Sequence, residues 1–274
     1  MIFDDLEKQG YGKYLENNPF HKVLNFDLGH YGLLTEEKLS NKIEIDLWEP
    51  VDPNITTVKP PELDDLIRLH FLITSRKVTT ILEFGVGMST AVFDHALTVN
   101  KNLYGEYVST NLRISNPFKC HSVDDSHHWI NETQKRYKFQ NSVFHFSECK
   151  MSTFNGRICT LYEEVPNICP DFIYLDGPDQ FSVIGDVRGI STRHSDRVPM
   201  AADILAMEHF LLPGTMIVVD GRTSNARFLK SNFQRTWQYS HYKEYDQHVF
   251  ELTEEPLGKI NAKHQIFVSN DINF

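Results

Sequence analysis

The chain has 274 residues, 41% hydrophobic and 12% aromatic, which excludes disorder over most of its length and provides for one large domain or a domain with an added cap. Its formal charge of -10 excludes a nucleic-acid backbone as the main partner, because phosphate binding asks for a basic surface. No apolar run approaches the roughly 20 residues of a membrane span, and four cysteines without metal-like spacing, behind an opening that does not read as a secretory leader, lead us to expect a cytoplasmic protein.

Residues 1–60 are rich in Asn, Lys, Glu and aromatics, show weak periodicity and end at Pro60 and Pro61, a boundary signal. They are read as a cap: a lid, a homodimer contact or plain surface packing. Residues 61–274 form the main domain. Leu63, Leu66, Ile67, Leu69, His70, Leu72 and Ile73 predict an amphipathic helix leading into it. Residues 81–90 (ILEFGVGMST) then combine an apolar run, an acid at Glu83 and a turn with Gly85 and Gly87, the pattern of a buried strand passing through a tight turn into a helix. In dinucleotide folds a third glycine lets the helix approach the strand beside a pyrophosphate; Thr90 stands at that position and Ser89 can cap the helix, so a pyrophosphate is disfavoured. Glu83 is suited to a cationic ammonium.

On this acid-x-Gly-x-Gly segment the chain resembles the class I S-adenosylmethionine-dependent methyltransferases. The resemblance implies a Rossmann-like α/β three-layer sandwich, with a mostly parallel seven-stranded sheet, a terminal antiparallel hairpin and S-adenosylmethionine as cofactor. Glu83, Gly85, Gly87, Ser89 and Thr90 are its expected contacts.

A helix is predicted over residues 89–99, followed by an insertion over 101–117 that explains the long spacing from Gly87 to the next strand, 119–124. In the family an acid ending this strand accepts from the ribose hydroxyls; Asp124 is assigned that role, with Asp125 as fallback. The Asp-Asp pair also suits a helix N-cap, as does Ser126. His127 and His128 read as surface residues and Trp129 as a packing residue. A further strand over 142–146 ends near Glu148, placed by position beside the adenine. Asp176 closes an apolar strand at a Gly-Pro turn. A helix over 200–212 precedes another strand, ended by Asp220. Residues 223–233 suit a helix; 237–245, 247–252 and 265–269 read as β-rich.

Glu83, Asp176 and Asp220 all fall at strand ends, where ligands bind in open α/β sheets. Catechol-type and macrolide-sugar O-methyltransferases carry acids at the last two of these ends, which implies Mg²⁺ on Asp176 and Asp220; this chain departs from them at Gly221, where they place a further ligand. Asp176 is expected to be catalytic; without a metal, His194 or Asp179 would act as general base, with Arg188, Arg193 or Arg197 orienting an anionic acceptor. The long polar segment between residues 179 and 199 suits a small polar acceptor such as a sugar or sugar nucleotide. The alternatives are an NAD-dependent oxidoreductase and an inactive cofactor-binding protein of the same fold.

Overall fold

The computed structural model describes residues 2–22 and 63–268. Strands β1 (Thr80–Phe84), β2 (Lys119–Asp124), β3 (Ser142–Phe146), β6 (Phe172–Leu175), β7 (Met216–Asp220), β8 (Trp237–Tyr242) and β9 (Gln247–Leu252) form one sheet in the order β3-β2-β1-β6-β7-β9-β8. The first five run parallel, and β9 is antiparallel to both its neighbours. β4 (Cys149–Phe154) and β5 (Arg157–Tyr162) make a separate hairpin. This is the Rossmann-like sheet with a terminal antiparallel hairpin that the sequence led us to expect.

Alternation along the strands divides the core into two layers. Ile81, Phe172, Tyr174, Met216 and Val218 pack with α3 (Leu63–Ser75) and α4 (Met88–Asn111). Leu82, Phe84, Ile173, Leu175, Ile217 and Val219 pack on the other face, with α6 (Asp203–Met207), α7 (Thr223–Asn232) and the β4–β5 hairpin. Two short N-terminal helices, α1 (Asp4–Gln9) and α2 (Tyr11–Asn17), join the first layer through Leu6, Tyr14 and Leu15. The Tyr14 hydroxyl lies 2.7 Å from His70 Nδ1 on α3. The boundary at Pro60 and Pro61 lies outside the described residues.

Several sequence expectations are corrected. The insertion expected over 101–117 is mostly further turns of α4, 24 residues long and so about 36 Å. Its extension carries Tyr104, Tyr107 and Val108, which pack against Phe267 and Val268 of α8 (Lys259–Val268). That contact also explains why residues 265–268 are helical and not β-rich: a short apolar run suits either state, and docking on α4 decides it. The helix expected over 200–212 shrinks to α6 and a 3-10 turn at Glu208–Phe210. Its first residues are taken by β5, where Thr160 N–H donates to Met200 and Ala202 N–H to Thr160. The β4–β5 hairpin was not anticipated, although Asn155-Gly156, both left-handed, is a strong signal for such a turn.

Asp171 anchors the entry to β1 and β6. It accepts from Thr79 N–H (2.9 Å), the Thr79 hydroxyl (2.7 Å) and Thr80 N–H (2.9 Å), all buried. Asp171→Ala strands these donors, each costing about 1–3 kcal/mol. We expect at least about 3 kcal/mol of lost stability in urea unfolding; a loss under about 1 kcal/mol would mean that the donors find other acceptors.

Candidate active site at the sheet's switch point

Strand order reverses between β1 and β6: the chain moves outward from β1 to β2 and β3, then returns to β6 on the other side. Such a reversal opens a crevice beyond the carboxyl ends of the strands. Register brings Phe84 level with Leu175, so the glycine turn after β1 and the Asp176 turn after β6 emerge side by side. A Cβ at Gly177 would stand 2.8 Å from Gly85 N and 2.9 Å from the Tyr162 hydroxyl, so the two turns are in backbone contact. Gly85 is left-handed (φ +100°), and a Cβ there would stand 3.1 Å from Asp176 C.

Glu83 is fully buried beneath this turn. One carboxylate oxygen accepts from the Ser89 hydroxyl (2.6 Å), the other from the hydroxyls of Thr90 (2.7 Å) and Ser122 (2.6 Å). Ser122 was not anticipated; it is the direct register partner of Glu83 across β2, a relation that only the pairing reveals. Gly87 N–H donates to the Thr90 hydroxyl at 3.1 Å, which ties the turn to the first turn of α4. A Cβ on Gly87 would meet nothing within 4 Å.

Burial lifts the Glu83 carboxyl to about 7, against the three hydroxyls that hold it down. The folded state therefore keeps a proton that the unfolded chain, with an ordinary value of 4.5, has released. Stability must then fall as pH rises from about 4.5 to about 7 and level off above. Glu83→Gln should flatten this fall by about 3 kcal/mol, read from urea unfolding at pH 4.5 and pH 8. Equal slopes in the two proteins would assign the pH dependence to other buried acids, such as Asp124 and Asp203, both also raised to about 7 by burial.

Asp124 ends β2 and accepts from Val86 N–H (2.8 Å) within the glycine turn and from Ser126 N–H (2.7 Å). Ser126 caps α5 (His127–Arg136), its hydroxyl accepting from Trp129 N–H. Asp125 accepts from the Ser182 hydroxyl at 2.5 Å and so ties the 179–199 segment to the crevice. At the edge of the sheet, Phe146, the last residue of β3, stacks on His127 with centroids 3.5 Å apart. Glu148 is half-buried and paired with Lys150 Nζ at 3.2 Å.

Asp176 is the acid with access to solvent: its side chain is 55% exposed, whereas Glu83 is sealed. Arg222 holds it from the N-cap position of α7. Arg222 Nε donates to Asp176 Oδ1 at 3.3 Å, Nη1 to the Pro178 carbonyl at 2.9 Å, and Nη2 to the Asp176 carbonyl. Enclosure by protein on the remaining sides raises the Asp176 carboxyl, with Arg222 opposing. Asp220 accepts from the Tyr174 hydroxyl at 2.8 Å, and burial followed by repulsion from Asp176 raises it to about 7. Tyr174, another register partner of Glu83, was also not anticipated.

Asp179 Oδ1 accepts from Phe181 N–H at 2.8 Å, closing a local turn. His194 Nδ1 accepts from Asp196 N–H at 3.2 Å. The residues on either side of His194, among them Ser191, Thr192, Asp196 and Arg197, border a cavity of about 360 Å³ whose other walls are Met151, Ile158, Cys159, Thr160, Ile190, Val198, Met200 and Ser224. Arg193 and Arg188 do not line it; Arg188, left-handed at φ +58°, stands at the tip of the segment.

Asp176 and Asp220, the two carboxylates expected to hold Mg²⁺, both have protein partners. Asp176 is neutralised by Arg222, Asp220 is engaged by Tyr174, and Gly221 offers no side chain. Among the described residues, no set of three His, Cys, Asp or Glu ligands within 4.8 Å of one another includes either acid. Nor is any described helix long and apolar enough to cross a membrane.

No family model and no curated protein matches the chain. Among solved structures it is similar to the O-methyltransferase TomG from Streptomyces achromogenes, involved in tomaymycin synthesis and in complex with S-adenosylmethionine: 13% identity, 74% of this chain and 83% of that one, TM-score 0.35. It is also similar to the O-methyltransferase from Bacillus cereus in complex with S-adenosylhomocysteine: 11% identity, 93% of this chain and 100% of that one, TM-score 0.38. Likenesses of this depth do not bear on chemistry; the residues at the strand ends do.

Proposed function

We propose that the chain is an S-adenosylmethionine-dependent methyltransferase acting on a hydroxyl of a small acceptor. The carrying observation is Gly87: it is extended, its Cβ would point into open space, and it opens the N-terminus of α4 at the switch point. Neither backbone nor packing calls for glycine there, which fits a ligand lying against the turn. S-adenosylmethionine would supply, when bound, a sulfonium methyl group for in-line transfer to an acceptor oxygen, the S–CH₃ bond breaking to leave S-adenosylhomocysteine while the acceptor's proton goes to a base on the protein.

The chain's residues have distinct tasks in this reading. Glu83 keeps the turn in shape through Ser89, Thr90 and Ser122, and an ammonium bound above the turn would favour its ionised form. Asp124 braces the same turn and offers its remaining lone pairs to ribose hydroxyls. Glu148 and Phe146 border the place expected for the adenine. Asp176, accessible and with a raised pKa, is best suited to take the acceptor's proton, ahead of Asp179 and His194 with their local bonds. Arg222 fixes its orientation.

The cavity beside the 179–199 segment is separated from Arg222 by one residue of chain at Ser224, and it suits the acceptor. Its mostly apolar lining favours a hydroxyl carried on an apolar ring, so sugars and sugar nucleotides serve as the comparison set in a screen. An NAD-dependent oxidoreductase is disfavoured by Thr90, whose hydroxyl is committed to Glu83, and by the antiparallel β9, which the six-stranded dinucleotide sheet lacks.

Calorimetric titration with S-adenosylmethionine, S-adenosylhomocysteine and NAD, with and without Mg²⁺, tests the proposal. Saturable binding of the first two, indifferent to Mg²⁺, is expected. Binding of NAD alone, or of none, would overturn it, and binding without turnover across the acceptor screen would favour an inactive relative.

A further inference from the structure

The β8–β9 hairpin gathers two histidines and an aspartate at its closed end. His241 and His248 are direct cross-strand partners, with ring centroids 3.9 Å apart and planes 21° from parallel. Asp246 enters β9 in a left-handed conformation (φ +50°), and its carbonyl accepts from Gly221 N–H at 3.0 Å. One ligating atom from each of the three residues lies within 4.8 Å of the other two.

We propose that His241, Asp246 and His248 bind one divalent cation of the Zn²⁺ type. Two imidazole nitrogens and one carboxylate oxygen are donors that Zn²⁺ takes at about 2.0–2.2 Å, whereas Mg²⁺ prefers an all-oxygen shell. Neighbouring ligands on a tetrahedral ion of that size stand about 3.3 Å apart, so the cluster must contract by up to about 1.5 Å. The two outer ligands can move: Asp246 is exposed and His241 partly so.

His248 is the fixed member. It is buried, its Nδ1 lies 3.0 Å from the Tyr239 hydroxyl and its Nε2 3.0 Å from the Thr223 hydroxyl. A second partner that orients the ring is what metal-binding histidines ordinarily have. Tyr239 fills that place, and the ion replaces the Thr223 hydroxyl at Nε2. Since Asp220 pairs with Gln247, an ion here would pin the hairpin beside the crevice. The site stands independently of the methyl-transfer reading.

The test is calorimetric titration of the full chain with ZnCl₂, with MgCl₂ as control and the visible absorption of Co²⁺ as a second readout. The exposed thiol of Cys169 is removed by Cys169→Ser so that it does not compete. One equivalent of Zn²⁺ should bind, with a cobalt spectrum free of thiolate charge transfer. His241→Ala and Asp246→Ala should each weaken it at least about tenfold, and Tyr239→Phe by about 10- to 100-fold, the range for lost outer-shell partners. His241 and Asp246 are not core residues, and unchanged thermal unfolding of their variants will certify the fold. Absence of saturable Zn²⁺ binding, or affinity unchanged in both variants, would overturn the site.

Discussion

Gly87→Leu is expected to abolish S-adenosylmethionine binding in calorimetry while changing the unfolding free energy by no more than about 1 kcal/mol, the scale of a helix-cap substitution. The separation of the two effects follows from geometry. Gly87 is extended at φ -173°, open to any residue, and an added side chain meets no protein atom within 4 Å. Leucine would fill only the space that the ligand needs. Gly85→Ala makes the opposite case: a left-handed φ of +100° and a Cβ 3.1 Å from the Asp176 backbone. Strain of about 1–2 kcal/mol and overpacking of about 1–3 kcal/mol should together appear in urea unfolding. If the leucine variant binds with wild-type affinity, the cofactor does not approach the turn, and the proposed function loses its main support.

Asp176→Asn should lower methyl transfer by roughly 10²- to 10⁴-fold, the usual contribution of a positioned general base. Its affinity for S-adenosylmethionine should change much less. The amide oxygen still accepts from Arg222, so the turn is retained while the proton acceptor is lost. Release of S-adenosylhomocysteine with an acceptor from the screen measures the first effect, and calorimetry the second. Because the base must be ionised, wild-type turnover should rise with pH through the Asp176 pKa, which lies above the ordinary 3.8. That limb should vanish in the variant. Loss of activity and affinity together would instead assign Asp176 to the cofactor.

The parts of this molecule legible in the sequence are those set by neighbours along the chain. Apolar runs of strand length, each ended by an acid or a glycine turn, locate β1, β2, β3, β6 and β7 to within a residue or two, because alternation, turn chemistry and burial act locally. The helix from Leu63 shows the same legibility, with every apolar position that predicts it buried. The Asn155-Gly156 turn of the β4–β5 hairpin is likewise a local signal.

What the tertiary structure decided depends on partners distant in sequence. Ser122 and Tyr174 come beside Glu83 only through the register of β2 and β6. Arg222 could have paired with Asp220 near it in sequence, yet it reaches Asp176 because the turns after β6 and β7 converge. Residues 265–268 become helical by docking on an extended α4, and His241 meets Asp246 and His248 because a hairpin folds them together. Local stereochemistry is written in adjacent residues. The pairing of side chains across strands is a property of the packed sheet, where burial penalises any unpartnered charge or hydroxyl and so selects among arrangements that the sequence alone leaves equal.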